Sequence, residues 1–530
     1  MSWKLAAQEA RETPASSIPD KWRLPRDYTT NVRDVRNVPE TCGLLSEDDL
    51  AITGMDASTL VSKLGRRELS AVRVTEAFCA RAAIAHQLVN CLTVFFPDPA
   101  LERARELDEH TQRTGVPVGP LHGLPIALKD TYDVPGYATT WGYAANYTHR
   151  ATRESATVRT LRQAGAIFFA KTTMPQAGML LETVSNLYGR TLNPLNPTFG
   201  AGGSSGGDGA LVALRGSPAT PSTDIGGSIR APAAFAAFNG MYAIQPTADR
   251  VPKPGMKSVQ SGQLSIRVSC GPVAHSLADI KPLTKVGAEF RRRRLAFGVW
   301  EFDGVVMPHP PITRAIRETV EALTAAGDEV ITFKMPFDCW EASRVYMDIY
   351  YQNGTEDSEA LLGKAEEPMM PAYKKMLNVY KVQKTPISSK QLLKLIQAQN
   401  KYKEALADAW DATAEQTSTN RPINGLICPV SPLGGYPHDF LPWWGYTTVF
   451  NLVDYPSTIL PLKGFEIIPE TDPRDTQYVA QGNAFDRECQ EIYDPVRWAN
   501  MPVALQIVGR PFDDEKLIAA TEVVDAVVNI

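Results

Sequence analysis

Residues 200–232 hold two serines in glycine-rich turns, Ser204 in GGSSGG and Ser228 in DIGGSIR. Glycine lets backbone N–H groups turn inward and approach a ligand closely. A serine hydroxyl set among such donors has two parts of an acyl-transfer site: a nucleophile and a place for an oxyanion. Upstream, GLPIALKD (123–130) is an apolar run that ends in Lys129 and Asp130. A lysine at the end of such a run is partly desolvated. Desolvation disfavours the ammonium form, so the amine becomes available as a base.

Other readings of the same residues fit less well. A flexible glycine–serine linker would not run directly into the hydrophobic GALVAL and the patterned DIGGSIR. Residues 202–206 formally fit G-x-S-x-G, with Asp224 and His275 as the available acid and histidine. That motif follows a strand, whereas a Pro-rich loop, LNPLNPTFG, stands here. A phosphate loop needs Gly-Lys-Ser/Thr, and Asp208 follows the glycines instead. The seven histidines are scattered with no metal-ligand spacing.

Taken together, GLPIALKD, GGSSGG and DIGGSIRAP resemble the amidase signature family of serine hydrolases. The family's D-x-G-x-S-I-R-x-P pattern is met by Asp224, Gly226, Ser228, Ile229, Arg230 and Pro232. The resemblance implies a Ser–Ser–Lys triad with its serines 24 residues apart, which selects Ser204 over Ser205. It maps Lys129 to the base, Ser204 to a bridging serine on a cis peptide and Ser228 to the nucleophile. It implies that the N–H groups of Ile225, Gly226, Gly227 and Ser228 face the substrate oxygen. It places Gly178 beside the acyl pocket. Asp224 and Arg230, opposite in charge, read as holding the loops by ion pairing and backbone hydrogen bonds. Two departures stand out: Ser222, where the family usually has glycine or alanine, and Gln245, where it usually has lysine. A tight fit is expected at Ser222.

The implied fold is α/β, a single domain over 56–530 with a large mixed β-sheet covered by α-helices on both sides. Residues 1–55 are expected to be an arm packed on the body, extended between short helical pieces. The implied activity is hydrolysis of a carboxylic amide through an acyl-enzyme, with no cofactor or metal. TTWGYAA and FNLVDYPSTILP are similar to a fungal acetamidase-like branch. After residue 280 the likeness thins, and the segment near 285–295 is compressed relative to that branch. An amidotransferase A-type subunit and a non-catalytic binding protein of the same fold are the alternatives. The intact Lys129, Ser204 and Ser228 count against the second.

The surrounding pattern supplies the elements that carry these residues. Asp56 and Ser70 read as N-caps of two helices, the second with Val74, Phe78 and Ala82 on one face. CLTVFF, GLPIALKD and AIFFAKT read as strands, and Ser155 starts the helix between the last two. GALVAL reads as a short helix after Ser204, and a further helix is expected to begin at Ser228. MYAIQPT reads as a return to the body, LAFGVW and DEVITF as strands, ITRAIRETVEALTAAG as an amphipathic helix, and 340–420 as helical. This alternation suits a sheet covered by helices.

Composition narrows the function class. The chain has 530 residues, 54 basic against 59 acidic, and a net charge of −5, which argues against a nucleic-acid partner. The arginine run at 291–294 reads as a solvated turn. Seven cysteines, odd in number and without C-x-x-C spacing, suggest neither a disulfide framework nor a zinc site. No secretory or membrane segment is apparent. The expectation is a cytoplasmic enzyme acting on a small-molecule amide, with a homodimer possible.

Overall fold

The computed structural model describes residues 1–25, 33–235, 241–256, 258, 260, 262–284 and 294–529. Its strands are β1 (Leu92–Phe95), β2 (Pro125–Lys129), β3 (Ile167–Thr172), β4 (Val184–Ser185), β5 (Gly189–Arg190), β6 (Ala219–Asp224) and β7 (Tyr242–Gln245). They continue with β8 (Ser269–Ala274), β9 (Ala296–Val299), β10 (Glu329–Thr332), β11 (Gly425–Pro429), β12 (Ser457–Glu466) and β13 (Pro502–Val508). Eight of them form one mixed sheet in the order β10-β9-β11-β13-β12-β7-β8-β6. The pairs β10–β9 and β9–β11 are parallel, and the others are antiparallel. Strands β1, β3 and β2 form a separate sheet, with β2 parallel to β3. A small hairpin joins β4 and β5.

The strand–helix–strand unit ending in Lys129 and Thr172 therefore builds the smaller sheet. Its β2 lies against β6, the edge of the large sheet. The bonds there involve side chains: Lys129 of β2 donates to Thr223 Oγ1 of β6, and next to the strands Ala127 N–H donates to Ser217 Oγ at 3.2 Å and the Tyr132 hydroxyl to Ser222 O at 3.3 Å. All five residues of β2 and all six of β3 are buried, as their apolar sequence requires.

The large sheet is covered on both faces, and the two-residue period of its strands shows how. Tyr242 and Ile244 of β7 and Leu460 of β12 pack with Ile312, Ile316, Leu517 and Ile518 from the helices Pro310–Ala325 and Asp514–Val528. Ala243 and Ile459 alternate with them. These pack instead with Val212, Ala213, Ile229 and Ala233, from the helix Gly206–Ala213 and the turn and helix around Arg230–Phe235. The serine-bearing segments thus sit on one face of the sheet.

Asp56 and Ser70 cap their helices as expected, accepting from Thr59 N–H and Arg73 N–H. Ser155 holds the N-cap position of Ala156–Gln163, but its side chain makes no cap bond. The second serine helix begins at Arg230, two residues beyond Ser228, because Asp224 draws the Gly227 and Ile229 N–H groups into a tight loop first. The N-terminus is more helical than its prolines suggested. Trp3–Ser16 is a 14-residue helix with Ala6, Ala7 and Ala10 buried and Pro14 in its last turn. Arg11 ties it to the body by donating to Leu187 O and Asn186 O. Arg291, Arg292 and Arg293, and most of the compressed segment, lie outside the described residues.

Candidate active site

Lys129 closes β2, is fully buried and points at the serine loops. Its Nζ lies 2.9 Å from Ser204 Oγ, 2.9 Å from Thr223 Oγ1 and 3.3 Å from Thr223 O. Burial pushes its pKa down to about 8, against an opposing pull from Asp208, Asp224 and Cys270. A neutral amine has two protons and one lone pair. Thr223 can accept both protons, which leaves the lone pair for the Ser204 hydroxyl. Thr223 was not singled out from sequence, where it is only the residue before Asp224.

Ser204 follows a cis peptide from Gly203. The backbone there is crowded: a Cβ on Gly203 would stand 2.4 Å from Leu180 O. Ser205, the neighbouring serine, points its Oγ at Thr223 O at 3.4 Å, and its N–H donates to Ser228 O at 3.2 Å. Ser205 therefore links the two serine loops, while Ser204 is the one in contact with the lysine.

The loop before Ser228 is folded around Asp224. That carboxylate accepts from Gly227 N–H at 2.8 Å, Ile229 N–H at 2.9 Å and Asn451 Nδ2 at 3.0 Å, and pairs with Arg230 at 3.1 Å. Burial would raise its pKa, but Arg230 and the donated bonds outweigh this and hold it below the usual carboxylate range. Tyr346 donates to Ile225 O at 2.7 Å and Thr447 Oγ1 to Gly226 O at 2.7 Å. The loop's carbonyls are thus held from two helices, Cys339–Tyr350, which sequence showed only as helical, and Gly445–Val453. Gly227 has φ +129°, and a Cβ there would stand 2.6 Å from Thr447 Oγ1. Of the four N–H groups expected to face the substrate oxygen, that of Gly227 is donated to Asp224 in this structure, which leaves those of Ile225, Gly226 and Ser228. No acceptor for those three N–H groups is found among the described residues.

Ser204 and Ser228 share a cavity of about 240 Å³, with Gly178, Trp141, Met174, Ile225 and Ile266 in its wall. Gly178 has φ +69°, and a Cβ there would meet Trp141 Cζ3 at 2.6 Å. The glycine thus makes room for the indole. Trp141 itself is placed by Asp130, whose Oδ2 accepts from Thr140 N–H at 2.9 Å and Trp141 N–H at 3.2 Å. The nucleophile-elbow arrangement does not form: Asp224 is bound to Arg230, and His275 Nε2 lies 2.8 Å from Val212 O. Ser222 finds its fit by donating to Asp208 Oδ2 at 2.7 Å.

Comparison with known proteins decides the family. The family model Amidase matches residues 73–518. This chain belongs to the amidase signature family. An amidase of Gibberella zeae is 47% identical over 99% of both chains, and an acetamidase of Emericella nidulans is 36% identical over 98% of this chain and 97% of its own. Among solved structures, a fatty acid amide hydrolase superposes with a TM-score of 0.92 at 28% identity, covering 100% of this chain and 95% of that one. The amidase signature enzyme described here is accordingly an amide-hydrolysing enzyme with the family's single-domain α/β fold. Among its described residues no helix is long and apolar enough to cross a membrane.

Proposed function

We propose that this enzyme cleaves a carboxylic amide through an ester on Ser228, with Ser204 and Lys129 as its proton relay. The observation that carries this is the 2.9 Å contact between Lys129 Nζ and Ser204 Oγ, made by a buried lysine whose other contacts are two acceptors on Thr223. With a pKa of about 8, roughly a tenth of Lys129 is neutral at pH 7.

Ser228 Oγ attacks the carbonyl carbon. Its proton passes to Ser204 Oγ as the Ser204 proton passes to the Lys129 lone pair. The carbonyl oxygen, now negative, takes hydrogen bonds from the N–H groups of Ile225, Gly226 and Ser228. Removing one such donor typically costs about 3–4 kcal/mol of transition-state stabilisation. The C–N bond breaks as the proton returns from Lys129 through Ser204 to the leaving nitrogen, releasing ammonia or an amine. Water then attacks the ester by the same relay and frees the acid.

The cavity volume lies just below the roughly 300–1,000 Å³ of drug-sized ligand pockets, and Trp141, Met174 and Ile266 give it an apolar wall. This supports a compact acyl group, in keeping with the acetamidases among the relatives. The working environment is proposed to be the cytoplasm.

The test is mass spectrometry after treatment with a fluorophosphonate, on the parent and on Ser228→Ala. A single adduct on the Ser228 peptide, absent from the variant, is expected. Labelling of another residue, or none in folded parent protein, overturns the assignment. A panel of primary amides of increasing acyl length is expected to show kcat/KM falling beyond compact acyl groups.

A further inference from the structure

We propose that Asp208 is the counter-charge for the Lys129 ammonium formed during acylation, kept ionised for that role by the hydroxyls of Thr172 and Ser222. The inference rests on the serine–lysine relay proposed above and adds a residue that acts through it.

Asp208 lies in the first turn of the helix Gly206–Ala213, four residues after Ser204, and is fully buried. Its Oδ1 accepts from Thr172 Oγ1 at 2.5 Å and its Oδ2 from Ser222 Oγ at 2.7 Å. Both donors are placed by the strands that place the lysine. Thr172 is the register partner of Lys129 across β3 and β2. Ser222 immediately precedes Thr223, which holds the lysine amine. The carboxylate and the amine therefore sit around the same two strand ends, without touching.

Hydrogen bonds given to a carboxylate favour its charged form, and so does a place in the first turn of a helix. Burial works the other way and is the larger influence, lifting the Asp208 pKa to about 6 against the pull of Lys129 first and then of the two hydroxyls, so the group is ionised near pH 8, where Lys129 works. No ion pair of Asp208 is found among the described residues, and its charge is left to act on Lys129. The other groups facing the lysine do not compete. Asp224 is matched by Arg230. Burial lifts the Cys270 thiol to about 11 and the Tyr132 phenol well above its ordinary value. Cys91, which faces Asp208, is also lifted by burial. All three are neutral near pH 8.

Ser222 is the residue that departs from the small glycine or alanine expected by resemblance. Its hydroxyl is one of the two that donate to Asp208, so the departure has an electrostatic consequence as well as a steric one. In acylation the proton moves from Ser228 through Ser204 to Lys129. Asp208 receives none, and its negative charge lowers the cost of the buried ammonium until the proton returns to the leaving nitrogen.

The test is the pH dependence of the second-order rate of Ser228 labelling by a fluorophosphonate, with kcat/KM for a primary amide alongside. Parent, Asp208→Asn and Ser222→Ala are compared, and folding is checked by thermal melting. The parent rate is expected to climb toward a plateau near pH 8. Asp208→Asn moves that climb about one unit lower and lowers the plateau. Ser222→Ala moves it the same way by less, because Asp208 loses one donor. A folded Asp208→Asn whose profile keeps its midpoint overturns the proposal, even if its rate falls evenly at every pH. If Asp208→Asn does not fold, Ser222→Ala decides in the same way: a lowered midpoint supports the proposal and an unmoved one overturns it. A parent that carries no label on Ser228 overturns the relay beneath it instead.

Discussion

Lys129 and Lys171 lie on paired strands, both fully buried, and they meet opposite surroundings. Lys171 is the register partner of Leu128, one step before Lys129, so the pleat sends the two side chains to opposite faces of the small sheet. Asp130, next after Lys129, turns to the Lys171 side and pairs with it at 3.1 Å, while Ala138 O and Thr139 Oγ1 take the remaining protons. Among the described residues, Lys129 hydrogen-bonds only to neutral oxygens, from Ser204 and Thr223. A direct carboxylate partner holds a buried lysine as a cation, and withholding one frees the amine to act as a base. The adjacent letters Lys129-Asp130 thus serve two sites, the proposed relay on one face and the Trp141 loop on the other.

The largest contrast is expected in activity. Ser228→Ala and Lys129→Met should each lower kcat/KM by about 10⁴-fold or more, with the Ser228→Ala protein melting at the parent's temperature. A Lys129→Met enzyme that keeps a tenth of parental activity breaks the assignment of the base.

Lys171→Met should do the reverse. It strands the buried Asp130 charge and should cost about 3–5 kcal/mol of stability, read by urea unfolding. A loss under about 1 kcal/mol would show that the Lys171–Asp130 pair is not the structural partner described above.

Protonation sharpens the comparison further. If Lys129 must be neutral, kcat/KM rises about tenfold per unit as pH approaches 8 and levels above it. Stability carries the matching sign. The folded-state pKa of this base is depressed, so between about 8 and its ordinary 10.5 the unfolded chain binds the extra proton and stability rises with pH. The gain is of order 3 kcal/mol, read as the difference between the parent and Lys129→Met. Identical pH–stability curves for the two proteins would contradict it.

The smallest effect separates the neighbouring serines. Ser205→Ala gives up a long bond to Thr223 O and should change kcat/KM by no more than about threefold. Ser204→Ala should cost about 10²–10⁴-fold. Equal losses in the two variants would mean that the relay does not pass through Ser204 alone.

Much of this arrangement could be read before any coordinates. Composition argued against a nucleic-acid protein, the apolar run ahead of Lys129 announced a desolvated amine, and the glycine turns marked both serines. Caps at Asp56 and Ser70 and the strands on either side of Ser155 followed from local pattern, because a cap or a two-residue alternation involves only near neighbours in the chain. What needed the folded molecule were contacts between residues far apart in the chain. Tyr346 and Thr447 reach the loop before Ser228 from more than a hundred residues away. Thr223 turns toward Lys129 only once β6 is laid beside β2. The commitment of Gly227 N–H to Asp224, and of Ser222 to Asp208, likewise depends on which direction a backbone or a hydroxyl finally faces. Residue types and short spacings determined the reagents. Packing of β2, β3 and β6 decided which lysine was left without a direct carboxylate partner, and no local pattern carries that information.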